Sequence, residues 1–114
     1  MVGDASAGSL ADALAKNTTL QELSMWGTGL GDTGVKVLAT ALTSNTTLKN
    51  LWLGECEGIT DDGAAAIKEA LLENTCLEQL ALVMTGVSEE LQDELEQLMS
   101  TRREQRAIAQ SQRQ

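Results

Sequence analysis

Three short stretches of the chain carry apolar residues at positions i, i+3 and i+5: Leu20, Leu23 and Met25; Leu48, Leu51 and Leu53; Leu77, Leu80 and Leu82. Alternation around these positions is the pattern of a strand that buries one face. Each stretch leads into a run with small or apolar residues four apart: Gly34, Leu38 and Leu42; Gly63, Ile67 and Leu71; Leu91, Leu95 and Met99. That spacing predicts an amphipathic helix. A leading segment, Ala5–Lys16, fits the same helical frame through Ser6, Leu10 and Leu14, and Asn17 closes it.

The strand–helix unit is an internal repeat. "NTTLQEL" from Asn17 recurs as "NTTLKNL" from Asn45 and "NTCLEQL" from Asn74, at spacings of 28 and 29 residues. Neither element can bury its apolar face alone, so neighbouring units must stack. The expected architecture is α/β: a short solenoid with a parallel three-stranded sheet on its concave side and helices on its convex side. The nine apolar strand residues are expected to point inward. Residues 1–100 form the repeat domain: a leading helix, two full repeats and a terminal capping repeat whose polar helix starts at Ser88. Residues 101–114 follow as a basic tail, read as a continuation of the helix or as a disordered, mostly solvated segment that could also meet its own acidic body. With only Ala5–Lys16 ahead of it, the edge of the first strand, Gln21–Trp26, is expected to stand open.

Gly29, Gly31 and Gly34 spell G-x-G-x-x-G between a strand and a helix, with Glu55 about twenty residues on, the outline of a dinucleotide-binding turn. The repeat argues otherwise. The same turn recurs as Gly58, Thr60, Gly63 and as Gly86, Ser88, Leu91. The first glycine suits a tight turn, and the second position reads as a helix N-cap. The acids that follow favour the helix dipole and would repel a pyrophosphate. No cofactor is expected.

L-x-x-L-x-L strands, a polar or cysteine position three residues on, a helix and an Asn-x-x-Leu step resemble the ribonuclease-inhibitor type of leucine-rich repeat. The matching residues are Leu20, Leu23, Met25 and Thr28; Leu48, Leu51, Leu53 and Cys56; Leu77, Leu80, Leu82 and Thr85. Similar repeats occur in NOD-like receptors, Ran GTPase-activating proteins and tropomodulins, and the resemblance implies a protein-binding solenoid. The chain departs from the family in placing Thr, Cys, Thr at the ladder position and in one extra residue near Glu57. Where a fourth Asn would fall it carries Arg102.

The net charge of −9 is unevenly distributed. Residues 1–100 hold four Lys against sixteen Asp and Glu, whereas residues 101–114 hold four Arg against Glu104. Such an acidic body argues against nucleic acid as a partner. The start "MVGDASAGSL" has neither a basic nor an apolar leader region, and no membrane span is read. Two cysteines in such a chain suggest reduced thiols and a cytoplasmic location. Cys56 and Cys76 fall at opposite ends of neighbouring strands, beyond disulfide reach. With no His, no P-loop and no Arg before Arg102, nothing suggests an enzyme or a metal site.

The residues between the inward leucines form the candidate partner-binding face: Glu22, Ser24 and Trp26; Asn50 and Trp52; Gln79, Ala81 and Val83. Two outward tryptophans on one sheet make a credible hot spot. Three strands at ~4.8 Å spacing and ~20 Å length offer roughly 280 Å², well short of the ~800 Å² per partner of a standard interface. Loops must therefore contribute, or the chain must associate with itself through the concave face or the first-strand edge. The expected function is a non-catalytic interaction module presenting an acidic, Trp-bearing face to a protein. The alternative is the C-terminal capping segment of a larger leucine-rich-repeat receptor or cytoskeletal regulator.

Overall fold

The structure, a computed structural model, describes residues 4–112. The first three residues, part of the stretch read for a leader, lie outside it with Arg113 and Gln114. Among these described residues seven elements alternate: α1 (Asp4–Lys16), β1 (Glu22–Ser24), α2 (Asp32–Leu42), β2 (Asn50–Trp52), α3 (Asp61–Glu73), β3 (Gln79–Ala81) and α4 (Glu89–Gln112). The three strands lie side by side in chain order and run parallel. Glu22 pairs with Asn50 and Asn50 with Gln79, so equivalent residues of successive repeats are neighbours. The fold is a short leucine-rich-repeat solenoid, with helices covering one face of the sheet.

Between sheet and helices lies a single aliphatic core. Leu48, Leu51, Leu53 and Leu77 are buried with Leu38, Leu42, Ile67, Leu71, Leu95 and Met99. Leu80, Leu82 and Met25 join them. Two of the nine expected inward residues depart. Leu20 is 37% exposed, and Leu23 is only partly buried. Both lie on β1 or beside it, at the edge where no further repeat covers them.

The repeats are joined by buried asparagines. Asn45 donates to the carbonyls of Leu14 (2.8 Å) and Asn17 (3.2 Å) in the repeat before it, and accepts from the N–H groups of Thr47 and Leu48 in its own. Asn74 repeats this one unit on, donating to Leu42 and Asn45 and accepting from Cys76 and Leu77. Asn74 has an extended backbone (φ −85°, ψ 117°), so backbone conformation does not call for asparagine there. What the position needs is one side chain with two donors and an acceptor reaching both ways.

The helix N-termini are also served across repeats. Neither Gly31 nor Thr60 caps its own helix through a side chain. Instead the Asp32 carboxylate accepts from the N–H groups of Thr60 (2.7 Å) and Gly63 (3.0 Å) and from the Thr60 hydroxyl. Asp61 accepts from Ser88 N–H at 2.6 Å in the same way. The acid at the start of one helix thus caps the next. Partial desolvation works against the Asp32 carboxylate, but the Thr60 and Gly63 hydrogen bonds and the charge of Lys36 together hold its pKa below the usual aspartate value. Gly63 has a reason of its own: a Cβ there would lie 2.5 Å from the Asp32 carboxylate.

The C-terminal end is closed by α4, which runs without interruption through residue 100 to Gln112. Its arginines are docked rather than solvated. Arg102 donates to the carbonyls of Leu71 and Leu77 (3.1 Å to the latter). Arg103 reaches Glu78 O at 2.8 Å and Arg106 reaches Thr75 O at 2.6 Å, while Arg106 also pairs with the Glu78 carboxylate at 3.2 Å. Leu71 O is the equivalent of Leu42 O, which Asn74 uses, so a guanidinium ends the asparagine ladder. Of the two states the sequence leaves open for this segment, the structure has the helix, and Arg106 meets the acidic body at Glu78; charge alone does not reveal the carbonyls that the arginines also meet.

Candidate functional site

The sheet face away from the helices is a grid set by the parallel register. Glu22, Asn50 and Gln79 form one row, and Ser24, Trp52 and Ala81 the next. Beyond the strands the ladder continues through Gly27 N–H to Gly54 O (3.0 Å) and Glu55 N–H to Val83 O (2.9 Å), which brings Trp26, Gly54 and Val83 into a third row. Glu22, Ser24, Trp26, Asn50, Trp52, Gln79, Ala81 and Val83 therefore occupy eight of nine grid points.

The two tryptophans are held differently. Trp52 is partly buried, and its indole Nε1–H donates to Glu22 at 2.7 Å, diagonally across to β1. The bond fixes the ring and leaves an acid beside it. Trp26 is 44% exposed, and its six-membered ring lies over Gly54. A Cβ at Gly54 would fall 2.2 Å from that ring, so the missing side chain in the second repeat makes room for the tryptophan of the first. Val83, 53% exposed, follows on the other side of Gly54.

Two residues outside that set lie beside the grid. Met84 is 63% exposed and adopts φ +61°, next to Val83. Glu55, also exposed, adopts φ +54° at the equivalent place in the second repeat, where the first repeat has Gly27 at φ +68°. Left-handed backbone suits glycine and is strained for other residues. Aligning Gly27, Glu55 and Met84 in the repeat would have marked the position, but nothing in the sequence states the conformation. The first glycine of each turn also needs revising: among the described residues only Gly29 of the three has a positive φ. Gly58 and Gly86 instead bring successive turns together, with an added Cβ at 3.2 Å from Gly31 Cα and 3.0 Å from Ile59 O respectively.

The face is extended by a groove of about 360 Å³ between β3 and the first turns of α4, lined by Trp52, Gln79, Ala81, Val83, Asp93 and Glu96 among others. Glu22, Glu55 and Asp93 are exposed acids around this apolar centre, and Glu96 is partly neutralised by Arg103 at 2.8 Å. Among the described residues no group of His, Cys, Asp or Glu is placed to hold a metal ion. Cys56 is buried and donates to Met25 O at 3.2 Å, linking two repeats, and Cys76 is a free, partly buried thiol. No helix is long and apolar enough to cross a membrane.

A parallel three-stranded sheet backed by helices, with an asparagine ladder every 28 or 29 residues, defines a leucine-rich-repeat fold. The leucine-rich repeat family model matches residues 16–39 and 44–68. Among solved structures, "Leiomodin-1 Actin-Binding Site 2 (ABS2)" is similar with a TM-score of 0.72 and 22% sequence identity, over 99% of this chain and 83% of that one. At that identity the likeness is one of fold. A search of curated proteins finds no match.

Proposed function

We propose that the chain is a non-catalytic protein-interaction module whose sheet face, centred on Trp26, Trp52 and Val83 and rimmed by acids, receives a protein partner. The observation that carries this reading is the clustering of Trp26, Val83 and Met84, three of the six exposed large apolar residues among the described residues, at one end of the sheet. An apolar centre beside Glu22, Glu55 and Asp93 suits a partner with apolar anchors and a basic rim. The grid is small, so the groove against α4 is part of the contact. A cytoplasmic setting fits the free thiols. The leiomodin structure is titled an actin-binding site, which makes actin the first partner to test.

The test is sedimentation with actin, together with solution mass by light scattering over a concentration series. It compares the parent chain with the Trp26→Ala, Val83→Ser double variant, with circular dichroism to verify folding. Loss of two hot-spot residues should weaken binding by roughly 30-fold or more. A folded double variant that binds every ligand of the parent equally would sink the reading. If the parent ignores actin yet forms dimers that the double variant lacks, the face serves a second copy of the chain.

A second reading has its own support. Arg102, Arg103 and Arg106 finish the C-terminal end by satisfying carbonyls that a further repeat would otherwise meet. On this reading the chain is the closing segment of a longer repeat array, in a receptor or a cytoskeletal regulator.

A further inference from the structure

Among the described residues the solenoid has four helices and three strands, and the mismatch lies at its N-terminal end. Each strand leads into the helix of its own repeat: β1 into α2, β2 into α3 and β3 into α4. The frame places Asp4, Asp32 and Asp61 at the starts of α1, α2 and α3, so α1 is a repeat helix for which the described residues hold no strand beside β1. Asn50 N–H bonds to Gln21 O and Met25 N–H to Trp52 O. Gln21, Leu23 and Met25 therefore face β2, and the peptide groups of Glu22 and Ser24 face outward.

The side chains along this edge are set as at the two completed joints, but they lack the other half. Asn17 Oδ1 accepts from Thr19 N–H at 2.8 Å and Leu20 N–H at 2.6 Å, as Asn45 and Asn74 do in their repeats. Asn45 and Asn74 each also send their amide donor to two carbonyls of the preceding repeat. The Asn17 donor has no such partner among the described residues. Thr47 Oγ1 donates across the joint to Leu20 O at 3.0 Å, whereas among the described residues Thr19 Oγ1 reaches only Asn17, at 3.4 Å. Leu20 is 37% exposed where Leu48 and Leu77 are fully buried.

We propose that the β1 edge, with Asn17, Thr19 and Leu20, is a receiving joint for one further leucine-rich-repeat strand, added parallel to β1 and led by a helix-ending turn that offers two carbonyls. Register and chemistry specify the occupant. It must cover Leu20 with an inward leucine, pair with Glu22 and Ser24, and present to Asn17 the carbonyls that Leu42 and Asn45 present to Asn74. A second copy pairing antiparallel through β1 would use the peptide groups but leave the Asn17 donor unmet, and two acidic bodies would repel. The proposal rests on the second reading above and leaves the Trp26 face untouched.

The test is a graft: a second copy of residues 42–60 joined directly ahead of Asp4, reproducing the natural junction of Thr60 with Asp61. Hydrogen exchange of the Glu22 and Ser24 amides should slow by at least about tenfold, and Tm should rise by about 5–10 °C. Asn17→Asp keeps the acceptor but removes the donor. It should leave the ungrafted chain nearly unchanged and cancel most of the graft's gain. Unchanged exchange at Glu22 and Ser24 in the graft overturns the proposal whatever Tm does, and so does a gain insensitive to Asn17→Asp. Concentration-dependent protection of the same amides in the ungrafted chain shows a second copy as occupant and also overturns it. The graft leaves Arg102 in place, so its failure refutes the joint and not the cap.

Discussion

The two ends of this stack begin from the same repeat and finish in opposite ways. At the C-terminal end Leu77 is fully buried, and the carbonyls of Thr75, Leu77 and Glu78, in the segment that leads into β3, are met by Arg106, Arg102 and Arg103. At the N-terminal end Leu20 is 37% exposed, and among the described residues Asn17 completes only the half of its pattern that lies within its own repeat. The helix layer is covered equally well at both ends, since Leu14 of α1 is as buried as Leu95 of α4. The difference lies in the strand layer. A repeat's leucine therefore does not fix its own burial; a neighbour does, and the same residue has different energetic weight at different places in the stack.

Equivalent leucines should expose this most strongly. Leu48→Ala, in the middle of the stack, is expected to cost about 2–5 kcal/mol, the range for a buried leucine that leaves a cavity. Leu20→Ala should cost roughly 1 kcal/mol or less, because much of its surface already meets water. Urea unfolding of both variants measures the gap directly. Equal costs would mean that the N-terminal edge is covered in solution, and the comparison between the ends would collapse.

Next in size is the cap. Arg102→Ala leaves Leu71 O and Leu77 O without their donor at the end of the core. The loss of two charge-assisted hydrogen bonds in a partly buried setting should cost about 1–3 kcal/mol. Arg102→Lys should recover only part of it, since an ammonium cannot span two carbonyls as a planar guanidinium does. A full recovery by lysine would show that the charge matters there and the fork does not. The exchange rates of the β3 amides separate local fraying from global loss.

Much of this was legible in the chain itself. The strand and helix periods, the 28- and 29-residue spacing and the order of elements follow from leucine positions that repeat three times. The eight face residues fall on one grid because alternation along a strand is strict. Interactions between repeats were less legible. Asn74 reads only as part of a recurring Asn-x-x-Leu step and is a bracket; Asp32 reads as a local helix acid and caps the following helix; the basic tail reads as either helix or solvated segment and is a bound helix. Each of these joins groups some 25 to 32 positions apart. Such bonds can be read only once the stacking geometry is known. Trp26 over Gly54 is the same lesson on the sheet face, where a missing side chain in one repeat is explained by a large one in its neighbour.

The cap between helices gives a smaller and pH-dependent effect. Asp32 has a lowered pKa in the folded chain, so its ionised form is favoured by folding. Its contribution is present above the unfolded aspartate value and is lost as pH falls through the lower folded value. Asp32→Asn should cost about 1 kcal/mol at pH 7, as for other lost helix caps. The gap between variant and parent should narrow below about pH 4, near the unperturbed aspartate pKa. Unfolding midpoints measured from pH 7 down to pH 3 test the sign. A gap that widens in acid would mean that the neutral carboxyl is the better cap.

The smallest expected effect runs the other way. Along the strand ends the left-handed position is Gly27 at the open end, Glu55 in the middle and Met84 at the closed end. A non-glycine residue there carries about 1–2 kcal/mol of steric strain, and glycine relieves it at the cost of about 0.5–1 kcal/mol of unfolded-state entropy. Met84 is 63% exposed, so losing its side chain forfeits little packing. Met84→Gly should therefore stabilise the fold by about 0.5 kcal/mol. Val83→Gly, one residue earlier and not left-handed, should destabilise it by a similar amount. Stability that rises in Met84→Gly while partner binding falls would show that methionine is held there against the fold's own preference, as strained residues at binding sites often are. A rise with no change in binding would remove Met84 from the proposed site and confine the proposed hot spot to Trp26, Trp52 and Val83.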